Sequence, residues 1–189
     1  TEGKVLENPK NSAPEFIFQR TLSPEKAPNK KTKVKITFKN SDPIAVNGIR
    51  LRPDKLLDKL NILAGKNGVG RVDLVENRFI GIKSRGVYET PGGTICFKAH
   101  KAMESITLDR ELLHLKEDLT NRYSRLIYNG YWFSPERESI QNLIDQSQAK
   151  VSGTVRVKLF KGNVIVEGRK SPNSLYSEDF STFENDSGA

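Results

Sequence analysis

Apolar residues along the chain switch between two spacings, and each switch marks a change of element. Val34, Ile36 and Phe38 alternate with Lys35, Thr37 and Lys39, the period of a half-buried strand. Asp42-Pro43 is expected to turn the chain into a short second strand through Ile44, Val46 and Ile49. Leu56, Leu57, Leu60, Leu63 and Ala64 then share one helical face, opened by Pro53 and stopped by Gly65. Between Arg71 and Lys83, Val72, Leu74, Phe79, Ile80 and Ile82 favour strand, interrupted around Asn77, and Ser84-Arg85-Gly86 reads as a hinge-like turn. A second helix starts at Pro91, with Ile95, Ala99 and Met103 spaced by four. Leu108, Leu112, Leu115, Leu119, Tyr123 and Leu126 form the longest helical stripe, expected to be buried against a sheet or another subunit. Ser134-Pro135-Glu136 supplies a cap, a first-turn proline and an early acid for a further helix ending near Ala149. Finally Val151, Val155, Val157 and Leu159, the Lys161-Gly162-Asn163 turn and Val164-Ile165-Val166 predict a β-hairpin.

Strands first, then helices, then a hairpin predict an α+β fold, with an antiparallel or mixed sheet, packed helices and a C-terminal β-hairpin. Residues 1–33 carry Pro9, Pro14, Pro24 and Pro28 without sustained period and read as an extended linker or arm. The folded unit is expected over 34–170. Residues 171–189, polar apart from Leu175, Tyr176, Phe180 and Phe183, read as an irregular tail.

Composition narrows the class. Leu, Ile, Val and Phe make up 51 of the 189 residues, enough for a packed core and above the roughly 20% at which charged chains stay disordered. A single cysteine, Cys96, excludes an intrachain disulfide framework. No window resembles a membrane span, so a cytoplasmic protein without a membrane partner is expected. The net charge of +8 suits nucleic acid, a phosphate-bearing ligand, an acidic partner or solubility alone.

Few residues carry recognisable chemistry. His100 and His114 lie fourteen apart with no Cys or second His at i+3 or i+4, which leaves no metal-ligand spacing and reads as surface or interface histidine. Cys96, between Ile95 and Phe97, reads as a buried structural thiol. Gly65, Gly68 and Gly70 follow a helix and precede a strand, the reverse of a dinucleotide or phosphate loop, and read as a helix stop and turn. Tyr128, Tyr131, Trp132 and Phe133 read as core or subunit packing. The dense segment runs from Gly70 to Pro91, where eight ionisable side chains, Tyr88 included, are interleaved with strand formers. Such a mix serves a zwitterionic ligand, or equally a solvated edge strand with ordinary ion pairs.

Gly68-Val69-Gly70-Arg71, Val75-Glu76-Asn77-Arg78, Lys83-Ser84-Arg85-Gly86, Tyr88-Glu89-Thr90-Pro91 and Gly93-Thr94, in this order, resemble the argininosuccinate synthase family. So do Leu108-Asp109-Arg110-Glu111, Phe133-Ser134-Pro135-Glu136, Lys161-Gly162-Asn163 and Ser174-Leu175-Tyr176. The resemblance implies a ligase that adenylates the ureido oxygen of citrulline with ATP and Mg²⁺, then lets the amine of aspartate displace AMP. It further implies that this chain is the C-terminal synthetase and tetramerisation part. The family's N-terminal nucleotide-binding domain would be the partner that holds ATP, and a homotetramer the assembly. By motif, Glu76 and Tyr88 match the family's citrulline ligands, positioning the substrate rather than moving its protons. No catalytic residue and no metal ligand are assigned. Arg78, Lys83, Ser84 and Arg85 are candidates for structural pairing or a neighbouring site. Asn67 stands where histidine is more usual in the family. The chain is expected to begin just past a citrulline-binding serine, to end before the family's C-terminal arm, and to be inactive alone. A non-catalytic basic module binding RNA or an acidic protein is the competing expectation, although nucleic acid is not expected, because the 31 Lys and Arg are spread along the sequence.

Overall fold

The computed structural model describes residues 3–177. Phe180 and Phe183, the far part of the expected tail, lie outside the described residues. The N-terminal segment is mostly irregular, with one helical turn, α1 (Gly3–Leu6), and a 3₁₀ turn at Glu15–Ile17. A five-stranded antiparallel sheet follows, built from β1 (Thr32–Lys39), β2 (Asp42–Val46) and β3 (Ile49–Arg50). It is completed late in the chain by β6 (Gly153–Phe160) and β7 (Asn163–Lys170), in the order β3-β2-β1-β6-β7. A separate hairpin pairs β4 (Arg71–Asn77) with β5 (Lys83–Glu89). The helices are α2 (Pro53–Lys66), α3 (Pro91–Thr107), α4 (Arg110–Tyr128) and α5 (Pro135–Ser147).

The period-two stretches do what their spacing requires. Val34, Ile36 and Phe38 of β1 and Val155, Val157 and Leu159 of β6 all point to one face and are buried there. That face is covered by α2 through Leu56, Leu60 and Ala64, and by α3 through Ile95, Ala99 and Met103. The fold is α+β with antiparallel sheets, as expected. The turn between β1 and β2 falls two residues earlier than predicted, at Asn40 and Ser41, whose φ values of 48° and 77° place both in the left-handed region. Pro43 instead joins β2 opposite Phe38, where the register slips by a bulge and tolerates a missing donor.

Caps behave locally. Ser134 accepts from the Arg137 N–H and opens α5, and Asp109 accepts from Leu112 to open α4. The burial expected for α4 is not met within the chain, because none of its residues is fully buried and Leu115 is 45% exposed. Leu112 and Leu113 alone reach the core cluster, and α4 otherwise packs on α5.

Candidate functional site

The β4–β5 hairpin carries the candidate residues. Its register sets Glu76 opposite Ser84, Leu74 opposite Gly86 and Val72 opposite Tyr88. The chain reverses between Arg78 and Ile82, where the Arg78 N–H donates to the Ile82 carbonyl and Gly81 takes φ +83°. The sequence placed the turn at Ser84-Arg85-Gly86, but those residues are inside β5. Phe79 and Ile80, read as strand, are in the loop and exposed. Gly81 can adopt the left-handed backbone at no steric cost, and the branched and aromatic residues beside it masked that signal.

Glu76 and Tyr88 meet despite lying four residues out of register. The Tyr88 hydroxyl donates to Glu76 Oε1 at 3.0 Å. Donation to a carboxylate, with some burial and the negative charge of Glu76, pushes the phenol above its ordinary range. Tyr88 remains 45% exposed, so the pair is open to a ligand. Beside it lies a cleft of about 540 Å³ with Glu76, Arg78 and Phe79 on the hairpin side and Ser124, Arg125 and Tyr128 of α4 on the other. Carboxylate, phenol and guanidinium groups together can meet both ends of an amino acid.

The remaining candidates separate. Arg78 lines this cleft. Ser84 is half-buried across from Glu76, and the Lys83 ammonium donates to Asn77 Oδ1 at 2.9 Å. Arg85 is a structural residue. Its guanidinium, 9% exposed, grips both oxygens of Asp73 at 2.9 and 2.6 Å and donates to the carbonyls of Asn8 and Asn11. The guanidinium's hydrogen bonds hold the Asp73 carboxyl below the usual range.

Two further residues, which the sequence did not single out, tie the N-terminal segment to this hairpin. Arg71 bridges both oxygens of Glu15, bonds Thr21 and stacks over Phe18 at 3.8 Å. Glu89 accepts from the backbone N–H groups of Gln19, Arg20 and Thr21 and from the Thr21 hydroxyl. Burial works to raise the Glu89 carboxyl, and these donors still leave it below its ordinary value. The partners are 50 to 70 residues apart, so no local pattern announces them.

Elsewhere, His100 is not a surface histidine. Its Nε2 lies 2.7 Å from Ser41 Oγ and 3.1 Å from Gln148 Oε1, and its Nδ1 lies 3.6 Å from Glu104 Oε2. The Gln148 amide nitrogen donates to Glu104 Oε1, which fixes its oxygen toward His100 and makes Nε2 a donor. A donor at Nε2 cannot act as base for Ser41, so the Ser41, His100, Glu104 alignment is not a nucleophilic triad. Glu104, four residues after His100 on α3, was the available sequence signal. Cys96 is half-buried, and burial pushes its thiol up, the environment of an inert cysteine. No group of His, Cys, Asp and Glu among the described residues could hold a metal, and no described helix is long and apolar enough to cross a membrane. Tyr128, Tyr131, Trp132 and Phe133 are exposed around the α4–α5 connection rather than in the core, with Phe133 at 86%. Cations spread along the sequence converge on the outer face of the sheet, where Lys33 faces Lys158 and Lys35 faces Arg156.

The model of the family described as arginosuccinate synthase C-terminal domain matches residues 1–188. The chain is 62% identical over 184 residues to the argininosuccinate synthase of Pelagibacter ubique, covering 97% of this chain and 47% of the relative. It is 61% identical over 189 residues to that of Granulibacter bethesdensis, covering 100% and 45%, and 59% identical to that of Zymomonas mobilis, covering 100% and 46%. The chain thus spans about half the length of the curated relatives it matches.

Proposed function

The chain belongs to the argininosuccinate synthase family, to the part described as its C-terminal domain, and from that premise we propose that it supplies the citrulline-binding and tetramerising half of an ATP-dependent carbon–nitrogen ligase. In the proposed reaction the ureido oxygen of citrulline attacks the α-phosphorus of ATP and pyrophosphate leaves. The amine of aspartate then adds to the activated carbon, AMP departs with the oxygen, and the amine gives up its proton to form argininosuccinate. ATP and Mg²⁺ belong to the nucleotide-binding domain that the relatives' remaining length would hold. A cytoplasmic setting agrees with the single, shielded thiol.

The single observation that supports the reading is the Tyr88 to Glu76 hydrogen bond, 3.0 Å long, whose carboxylate member lines the cleft. The carboxylate of Glu76 accepts N–H bonds from an ammonium or ureido group, and Tyr88 locks it in one orientation while offering its own oxygen as an acceptor. Such pre-set groups contribute through alignment of the reactants rather than proton transfer. The apolar surface of α4 and the exposed aromatics at 131–133 support an assembly role. In the full-length protein, Glu76→Gln and Tyr88→Phe should each raise the Michaelis constant for citrulline about 5- to 150-fold, the equivalent of about 1–3 kcal/mol for an unpaired buried polar group. The constant for ATP should hardly move. Unaltered citrulline kinetics in both variants would overturn the assignment.

A further inference from the structure

Gly86 stands in the middle of a strand, where glycine costs conformational entropy and offers nothing to pack. It has no positive φ, so the backbone does not demand it. It is nevertheless buried, while Leu74 opposite and Tyr88 two residues on are exposed. What buries it is the Tyr88 ring. A Cβ added at Gly86 would fall 2.5 Å from both Cε2 and the hydroxyl oxygen of Tyr88 and 2.6 Å from Cζ. Residues i and i+2 share a face of a strand, so the Tyr88 ring lies back along β5, flat over the space a side chain at 86 would fill. That posture carries the hydroxyl toward Ser84, opposite which Glu76 stands. An upright Tyr88 would face Val72, its own cross-strand partner, and leave Glu76 about 13 Å away along the strands, four residues at about 3.3 Å each.

We propose that Gly86 is a positioning residue of this site: its missing side chain is the seat on which the Tyr88 ring lies, and the seat sets the phenol against the carboxylate that receives the ureido or ammonium group of the substrate. Any side chain at 86 lifts the ring, breaks the bond to Glu76 and leaves both groups free to turn away. The substrate part of this inference rests on the proposed citrulline site. The seat itself does not.

The test uses the full-length protein and variants Gly86→Ala, Tyr88→Ala, Tyr88→Phe and the Gly86→Ala/Tyr88→Ala pair. Tyrosine labelled with ¹³C at Cζ reports the phenol titration, with the Tyr88 signal identified by its loss in Tyr88→Phe. In the parent protein Tyr88 should titrate above the ordinary tyrosine range, and in Gly86→Ala its titration should fall back toward that range. Gly86→Ala should lower the thermal midpoint when Tyr88 is present and raise it slightly in the Tyr88→Ala background, where only the entropic gain of replacing a strand glycine is left. An unmoved titration, or an equal loss of midpoint in both backgrounds, overturns the seat. With the seat upheld, Gly86→Ala should raise the citrulline Michaelis constant by the same factor as Tyr88→Phe, with kcat little changed. An unmoved constant there overturns the citrulline reading and leaves the seat standing.

Discussion

Helices α3 and α4 follow one another after a two-residue break, and both carry an apolar stripe, yet one is the centre of the core and the other borders it. α3 buries Ile95, Ala99, Ala102, Met103 and Ile106, although it contains Gly92 and Gly93. α4 has the longer and more regular leucine stripe and buries no residue completely. Periodicity therefore records that a helix has a face, not what covers that face. The two meet at a polar seam rather than an apolar one. Glu104 of α3, 1% exposed, is held by Lys116 of α4 at 2.9 Å, and Lys101 meets Glu117 beside it.

The seam is the most sensitive place to test this contrast. Replacing Lys116 by Met would leave Glu104 without its cation in a buried site, and should cost about 3–5 kcal/mol in a denaturant melt. A loss below about 0.5 kcal/mol would mean that the seam contributes nothing to joining the helices. Met103→Ala, in the buried stripe of α3, should cost about 2–5 kcal/mol by leaving a cavity, measured in the same way.

A pH series separates the seam from the apolar core. Burial depresses the His100 pKa, against the pull of Glu104 and with that of Lys116. As pH falls through about 6.5, the ordinary histidine value, the unfolded chain takes up the proton before the folded one. Stability from this group is therefore complete above about pH 6.5 and declines as pH falls toward the lower folded value. Thermal midpoints recorded downward from pH 7 should show this decline, and His100→Gln should remove that component. The smallest effect is expected at Leu115→Ala on α4, within about 0.5 kcal/mol for the dissociated chain. A larger loss that grows with protein concentration would show that another copy covers this face.

The same divide between face and partner runs through the candidate site. Glu76 and Tyr88 were recognisable from their motifs, and each sits on a strand. The route to their contact was not legible, because the reversal lies at Gly81 and the reach depends on a bare Gly86 beneath the Tyr88 ring. From its neighbours in sequence Arg85 was open to structural pairing or to a neighbouring site. Its partners turned out to be Asp73 across the hairpin and two carbonyls more than seventy residues earlier. His100 looked solitary because Ser41 and Gln148 approach it from 59 and 48 residues away.

By itself the sequence determined what short-range physics controls. Alternation set the inward faces of β1 and β6, Pro53 opened α2, Ser134 capped α5, and Lys161-Gly162 closed the last hairpin. Each depends on backbone dihedrals, caps or side-chain direction within a few residues. The tertiary structure decided which stripe enters the core, which charges pair and where Tyr88 points. Those outcomes depend on groups brought together from across the chain, where competing partners of similar chemistry are separated only by the geometry of the assembled fold.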